Sequence, residues 1–132
     1  MHPFELRITV SAPDIDQLGH VNNVAYLRWV QEAAEAHWGA ITPNADQTNL
    51  LWVILRHEID YLKPAYLDDR IVARTWVGEA TRLRFERFTE ITRVVDSVVL
   101  AKAKTIWCPI DAKRKRPVAV SDEVRALFSA RL

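Results

Sequence analysis

The 132-residue chain holds little of what marks several large classes of protein. It has one cysteine, Cys108, so no internal disulfide can form, and no ligand spacing of the zinc-site type occurs. Its 18 Lys and Arg nearly balance 17 Asp and Glu, and a net charge of +1 creates no overall field that would attract nucleic acid or an anionic membrane. The chain lacks an apolar run of membrane-spanning length and an N-terminal signal peptide. We therefore expect a cytoplasmic, soluble protein without a metal, a nucleic-acid partner or a membrane partner, folded as one domain over residues 1–132.

The residue patterns predict an α+β protein. Apolar residues alternate from Phe4 to Val10, which predicts a first strand with one buried face. Helical spacing then runs from Val24 to Trp38, with Asn22 or Asn23 as N-cap and Gly39 as C-terminal stop. The four β-rich runs that follow cover 51–62, 71–77, 83–94 and 98–110. Their connections of three to eight residues are too short for crossover helices, so we expect an antiparallel meander, followed by a short helix from Ser121.

Polar residues concentrate where the first strand meets the long helix. The stretch from Asp14 to Tyr26 contains two carboxylates, an imidazole, a glycine and two adjacent amides. A helix N-terminus offers unpaired N–H donors and partial positive charge, which suits it to hold an oxyanion. A carboxylate nearby supplies a nucleophile or a base. The stretch is therefore the candidate site.

Each of these residues also has a structural explanation. Loop aspartates such as Asp14 and Asp16 often accept hydrogen bonds from turn N–H groups. Gly19 permits a backbone shape that other residues avoid, and His20 is explained equally well as a hydrogen-bonded loop histidine. The two asparagines serve as helix caps. The residue types alone leave these alternatives open.

Two motifs resemble the hotdog-fold acyl-CoA thioesterases of the 4-hydroxybenzoyl-CoA thioesterase type. The first is the loop Asp14-x-Asp16-x-x-Gly19-His20-Val21-Asn22-Asn23-x-x-Tyr26, and the second is the strand ending Ile59-Asp60-Tyr61-Leu62-Lys63-Pro64-Ala65. The resemblance implies a five-stranded antiparallel sheet wrapped around one long central helix, with a short C-terminal helix. It also implies the hydrolysis of an acyl-CoA without any cofactor, by homodimers or dimers of dimers whose sites lie at subunit interfaces.

The same resemblance assigns roles within the loop. Asp16 is the catalytic carboxylate, acting as nucleophile or as general base. The motif does not change the structural explanation of Asp14, which we expect to hold the loop. Backbone N–H groups from Asn22 to Val24 hold the thioester carbonyl oxygen. The residues expected to bind substrate are Gly19, His20, Asn22, Asn23, Val24 and Tyr26. Those expected at the coenzyme A phosphates are Lys63, Arg82 and Arg84.

Two other functions stay open at this point. One is a non-catalytic hotdog module that binds acyl-CoA, and the other is a thioesterase acting on acyl carrier protein (ACP). A second branch of hotdog thioesterases uses a helical carboxylate, but we expect Glu32 and Glu35 to be solvated helix residues. The more polar His20-Val21-Asn22-Asn23 segment argues against a benzoyl substrate. The acyl group itself is not identified by the sequence.

Overall fold

The computed structural model describes residues 3–42, 44 and 48–129. Its elements are β1 (Phe4–Thr9), a 3-10 turn (Ala12–Asp14), α1 (Asn23–Ile41), β2 (Leu50–Tyr61), β3 (Arg70–Ala80), β4 (Phe85–Arg93), β5 (Val99–Asp111), β6 (Arg116–Pro117) and α2 (Asp122–Ser129). Among the helices of these ranges, none combines the length and apolar character needed to cross a membrane.

The fold is the expected α+β hotdog arrangement. All strand pairs are antiparallel, in the order β1-β3-β4-β5-β2, and the two-residue β6 adds a sixth strand beside β5. The apolar face of α1 packs on the sheet through Trp29, Val30 and Ala33, each at most 1% exposed. Small residues on this face let the helix lie close to the strands. The polar loop before α1 is thereby held against one end of the sheet.

The prediction that consecutive strands pair in a meander is wrong for β2 and β3. β2 does not pair with β3 but lies beyond β5 at the far edge, so that Tyr61 pairs with Ala101. The eight residues between Tyr61 and Arg70 can span about 26 Å, whereas three strand spacings measure only about 14 Å. A connection too short for a crossover helix is therefore long enough to cross the end of the sheet.

The expected stop at Gly39 is also wrong. α1 continues through Gly39 to Ile41, and the N–H and hydroxyl of Thr42 both donate to the carbonyl of Trp38. A glycine inside a helix costs only about 1 kcal/mol. Ile41 is 6% exposed in a second apolar cluster beneath α2, and its burial offsets that cost.

Candidate functional site

Asp14 anchors the start of the loop. Its side chain is 4% exposed, and its carboxylate accepts hydrogen bonds from the N–H and hydroxyl of Ser11, both at 3.1 Å, and an ion pair from Arg28 at 2.5 Å. Burial acts to raise the pKa of Asp14, but these hydrogen bonds and the charge of Arg28 outweigh it and leave the pKa below its ordinary value. The expectation that Asp14 holds the loop is confirmed.

Asp16 closes a tight turn and keeps one oxygen free. Its Oδ1 accepts from the N–H groups of Leu18 at 2.8 Å and His20 at 3.2 Å. Its backbone N–H donates to the carbonyl of His20, and the Gly19 N–H donates to the carbonyl of Asp16. The other oxygen, Oδ2, has no hydrogen-bond partner within the described residues. The turn thus orients the carboxylate and leaves one of its oxygens available for chemistry.

Gly19 is needed for the shape of this turn. Its φ of +80° lies in the left-handed region, which glycine adopts without steric cost. Among the residues that the structure describes, no heavy atom lies within 4 Å of the position that a Cβ would take. The turn conformation alone accounts for a glycine here.

The helix start offers fewer free donors than the sequence predicts. Asn22 is the N-cap: its side chain accepts from the Val24 N–H at 2.9 Å, and its own N–H donates to the carbonyl of Asp14 at 2.7 Å. The amides of Asn22 and Val24 are therefore already engaged within the chain, and their expected role in holding a substrate oxygen stays a prediction. The N–H of Asn23 has no partner among the described residues. It is the first residue of α1, so no intrahelical acceptor exists for it.

The loop and the helix start line one open cleft of about 400 Å³, but the expected residues Gly19 and Val24 are not among those that line it. Asp16, His20 and Asn23 form one wall, and the end of β2 with the following residues forms the other. The residues of that second wall are Tyr61, Leu62, Lys63 and Pro64. Tyr61 was not among the expected site residues, although it belongs to the second resembling motif. Its hydroxyl donates to the Asn23 carbonyl at 3.3 Å and so joins the two walls.

Tyr26 has a tethering position beneath the cleft. It is 2% exposed, and its hydroxyl accepts a hydrogen bond from the Ala65 N–H at 3.0 Å. Burial raises the pKa of Tyr26 above its ordinary value. The Val21 N–H donates to the Ala65 carbonyl, and the ring of His20 packs edge-on against Tyr66. The loop is thus fastened to the segment that follows β2.

The expected phosphate-binding residues do not come together within one chain. Lys63 lies in the cleft, but Arg82 and Arg84 lie in the turn between β3 and β4. Along β5, the partner of Tyr61 is Ala101 and the partner of Phe85 is Trp107, so the two places are about 20 Å apart. Within the described ranges, no group of three or more His, Cys, Asp or Glu side chains is placed to hold a metal ion.

The antiparallel sheet, the long helix and the carboxylate loop at its N-terminus define a hotdog protein of the thioesterase type. The chain belongs to the thioesterase-like superfamily, whose family model matches residues 10–128. This confirms the family that the loop motif resembles.

The individual relatives share only a low sequence identity with this chain. The chain is 26% identical over 127 residues to the long-chain acyl-CoA thioesterase FadM of Escherichia coli, covering 92% of this chain and 93% of that protein. It is 27% identical over 84 residues to the chloroplastic acyl-[acyl-carrier-protein] hydrolase FATB3 of Cuphea viscosissima; the match covers 64% of this chain and only 20% of that protein. A crystal structure of Slr0204, a 1,4-dihydroxy-2-naphthoyl-CoA thioesterase from Synechocystis, superposes with a TM-score of 0.83 at 20% identity, covering 97% and 96% of the two chains. At that identity, the likeness shows the fold.

Proposed function

We propose that this protein hydrolyses an acyl-CoA thioester to a free acid and coenzyme A in the cleft at the N-terminus of α1. One observation carries the proposal: Asp16 and Asn23 line the same cleft, and within the described residues one oxygen of the Asp16 carboxylate and the backbone N–H of Asn23 have no partner. A carboxylate and an oxyanion donor are the two parts that thioester hydrolysis requires.

The chemistry follows one of two balanced routes. In the first, Asp16 takes a proton from water as the hydroxide oxygen bonds to the thioester carbon. In the second, Oδ2 bonds to that carbon directly, and water later hydrolyses the resulting anhydride. In both, the carbonyl oxygen becomes an oxyanion that accepts from the Asn23 N–H, and the carbon–sulfur bond breaks as the thiolate leaves and is protonated. The partial positive charge at the start of α1 stabilises the same oxyanion.

The remaining loop residues position the substrate. Gly19 keeps the turn that aims Asp16, while His20 and the Asn23 side chain border the acyl thioester. Asn22, the Val24 amide and Tyr26 act by holding the helix start and the segment opposite it. Lys63, exposed in the cleft, binds a coenzyme A phosphate as a point charge.

A second copy of the chain completes the site. β2 is an edge strand with only β5 beside it, and Leu51, Val53 and Leu55 on its outer face are 41 to 49% exposed. A long, apolar edge strand favours pairing with another strand, and twofold pairing of two β2 strands is antiparallel. The cleft end of one β2 then lies beside the far end of the other. This brings Arg82 and Arg84 of the second copy toward the cleft. The apolar outer face of β2 provides a surface for pairing two dimers.

One relative supports a second function, in which the acyl group of the substrate is attached to ACP and not to coenzyme A. The match to FATB3, a hydrolase of acyl-[acyl-carrier-protein] by its name, supports acyl-ACP as an alternative substrate. A thioesterase for acyl-ACP needs a protein-binding surface at the cleft mouth, whereas one for acyl-CoA needs cations for the nucleotide phosphates. Lys63 in the cleft suits a phosphate of coenzyme A and equally the phosphate on the prosthetic arm of ACP, so the substrate panel below decides between the two carriers.

A thiol-release panel tests the function. Purified protein is given short, medium and long aliphatic acyl-CoAs, benzoyl-CoA, naphthoyl-CoA and a matched acyl-ACP, and light scattering measures its mass in solution. We expect saturable thiol release from at least one acyl-CoA and the mass of a dimer or tetramer. Thiol release from acyl-ACP alone would show that the substrate is carried by ACP and not by coenzyme A. Tight binding of acyl-CoA without release from any substrate would identify a non-catalytic module.

A further inference from the structure

A second, smaller cavity lies at the opposite end of α1. It sits between the C-terminal half of α1, the inner face of the sheet and α2, and holds about 60 Å³. Its walls are mainly aromatic, with Trp38, Trp52, Phe85 and Phe128 among them. A water needs about 10 to 15 Å³ measured in this way, so the cavity accommodates roughly four to six water-sized groups.

Arg87 of β4 reaches into this apolar surrounding with most of its donors unused. The residue is 5% exposed and lines the cavity. Its Nη1 donates to the hydroxyl of Thr75 at 3.0 Å and contacts Nδ1 of His37 at 3.1 Å. A guanidinium has five N–H donors. The three N–H groups on Nε and Nη2 have no hydrogen-bond partner within the described residues.

Within the described residues, no carboxylate neutralises the charge of Arg87. None lies within 4 Å of its guanidinium, and the side chain packs over the ring of Phe128. Burial lowers the pKa of Arg87 to about 10, so the group is still charged at neutral pH. Burial and the charge of Arg87 lower the pKa of His37 to about 4, so His37 is neutral, and its Nδ1 accepts from Arg87 because a guanidinium only donates. A buried cation without a counter-ion is costly, which favours an anion beside it.

Two tryptophan rings complete the apolar lining. Trp52 and Trp107 line the cavity, but their indole N–H groups are fully buried, have no hydrogen-bond partner within the described residues and do not reach the open volume. Two acids also line the cavity: Glu86 is paired with Lys104 at 3.0 Å, and Glu35 is exposed on the solvent side. The interior of the cavity thus combines the guanidinium of Arg87 with apolar walls, which suits an anionic group on a short apolar body.

We propose that this cavity is a binding site for a short aliphatic carboxylate of about four to six heavy atoms, with its carboxylate on Arg87 and its apolar body against the aromatic walls. The site is separate from the cleft that contains Asp16, and it does not depend on the proposed hydrolysis. Propanoate and butanoate have the size and charge that the cavity favours.

The test follows the indole N–H signals of the intact protein by NMR, with ¹⁵N-labelled tryptophan. Sodium butanoate is titrated into the protein, and separate titrations with sodium chloride, butan-1-ol and butylammonium chloride serve as comparisons. The variants Trp52→Phe and Trp107→Phe assign the two signals. Trp76, which stacks on Phe88 elsewhere in the sheet, serves as an internal control. We expect saturable shifts of Trp52 and Trp107 with butanoate, and binding at least about tenfold weaker for the alcohol.

Three variants at two positions separate this site from a water-filled core defect. Arg87→Met keeps a similar volume and removes the charge, so saturable binding should be lost, while Arg87→Lys should retain part of it. Glu35→Gln changes only an exposed group and should tighten butanoate binding about two- to fivefold. It serves as the charge test even if the Arg87 variants do not fold. Absence of saturable shifts with butanoate, equal shifts with butan-1-ol, or unchanged affinity in Glu35→Gln would overturn the proposal.

Discussion

Replacing Asn23 by proline deletes the unpaired N–H at the helix start with little other change. Proline is favoured at the first position of a helix, where its missing N–H is not used by the helix. The preceding residue must be extended, and Asn22 already has φ −62° and ψ 138°. The Asn22 cap on Val24 and the Asn23 carbonyl that accepts from Tyr61 are both retained.

The expected loss follows from the role of that amide. Removing one oxyanion donor in other enzymes lowers kcat about a hundredfold to a thousandfold, or about 2.7 to 4 kcal/mol of transition-state stabilisation. Asn23→Ala removes the side chain and keeps the N–H, so it is the matched control. We expect the kcat of Asn23→Pro to be lower than that of Asn23→Ala by this factor, while the KM and the melting temperature of the two variants are similar.

The assay is initial-rate thiol release over a range of acyl-CoA concentrations. Equal kcat for the proline and alanine variants would refute the assignment of the Asn23 N–H as oxyanion donor. A raised KM with unchanged kcat would instead show that the proline ring only obstructs substrate.

Three further changes test the architecture of the loop. Asp14→Asn should destabilise the fold by about 1 to 3 kcal/mol at pH 7. Because the folded-state pKa of Asp14 lies below the ordinary 3.8, its stabilisation is present above that value and is lost as the pH falls through the folded pKa. The melting temperatures of the wild type and of Asp14→Asn should therefore converge as the pH is lowered. A difference in melting temperature that stays constant with pH would contradict this. Gly19→Ala should cost about 1 to 2 kcal/mol in urea unfolding, because φ is +80° and a Cβ meets no neighbour. An unchanged midpoint would be inconsistent with the turn. Tyr26→Phe leaves the buried Ala65 N–H unpaired and should cost about 1 to 3 kcal/mol, whereas wild-type stability would show that the tether is unimportant.

The sequence predicts local features well because a few adjacent residues determine them. The Asn22 cap, the anchoring by Asp14 and the start of α2 after Ser121 depend on contacts two to four residues apart, or on one turn of the following helix. The alternation of strand residues likewise predicts which face is buried. These predictions need no knowledge of the tertiary partner.

Features that depend on distant packing were not predictable in the same way. The placement of β2 beside β5 rather than β3 is a choice between pairings with similar local patterns. The passage of α1 through Gly39 depends on the burial of Ile41. The engaged amides of Asn22 and Val24 appear only when the loop geometry is known.

One buried cation did have a sequence signal. Phe85, Arg87, Thr89 and Ile91 alternate along β4, and the structure buries all four. An arginine at an inward position of an otherwise apolar or neutral strand face marks an unusual group. The pattern does not reveal what the guanidinium faces, because α1, α2 and β2 supply the rest of its cavity.

The most direct test of the account compares Asp16→Asn with the wild type and with Gln17→Ala, an exposed neighbour in the same turn. Thiol release from the best acyl-CoA is measured together with binding of that acyl-CoA and the melting temperature. The account predicts that Asp16→Asn loses at least about a thousandfold in turnover, keeps its fold and still binds substrate, while Gln17→Ala retains turnover. Turnover at the wild-type level in Asp16→Asn would contradict the role of Asp16.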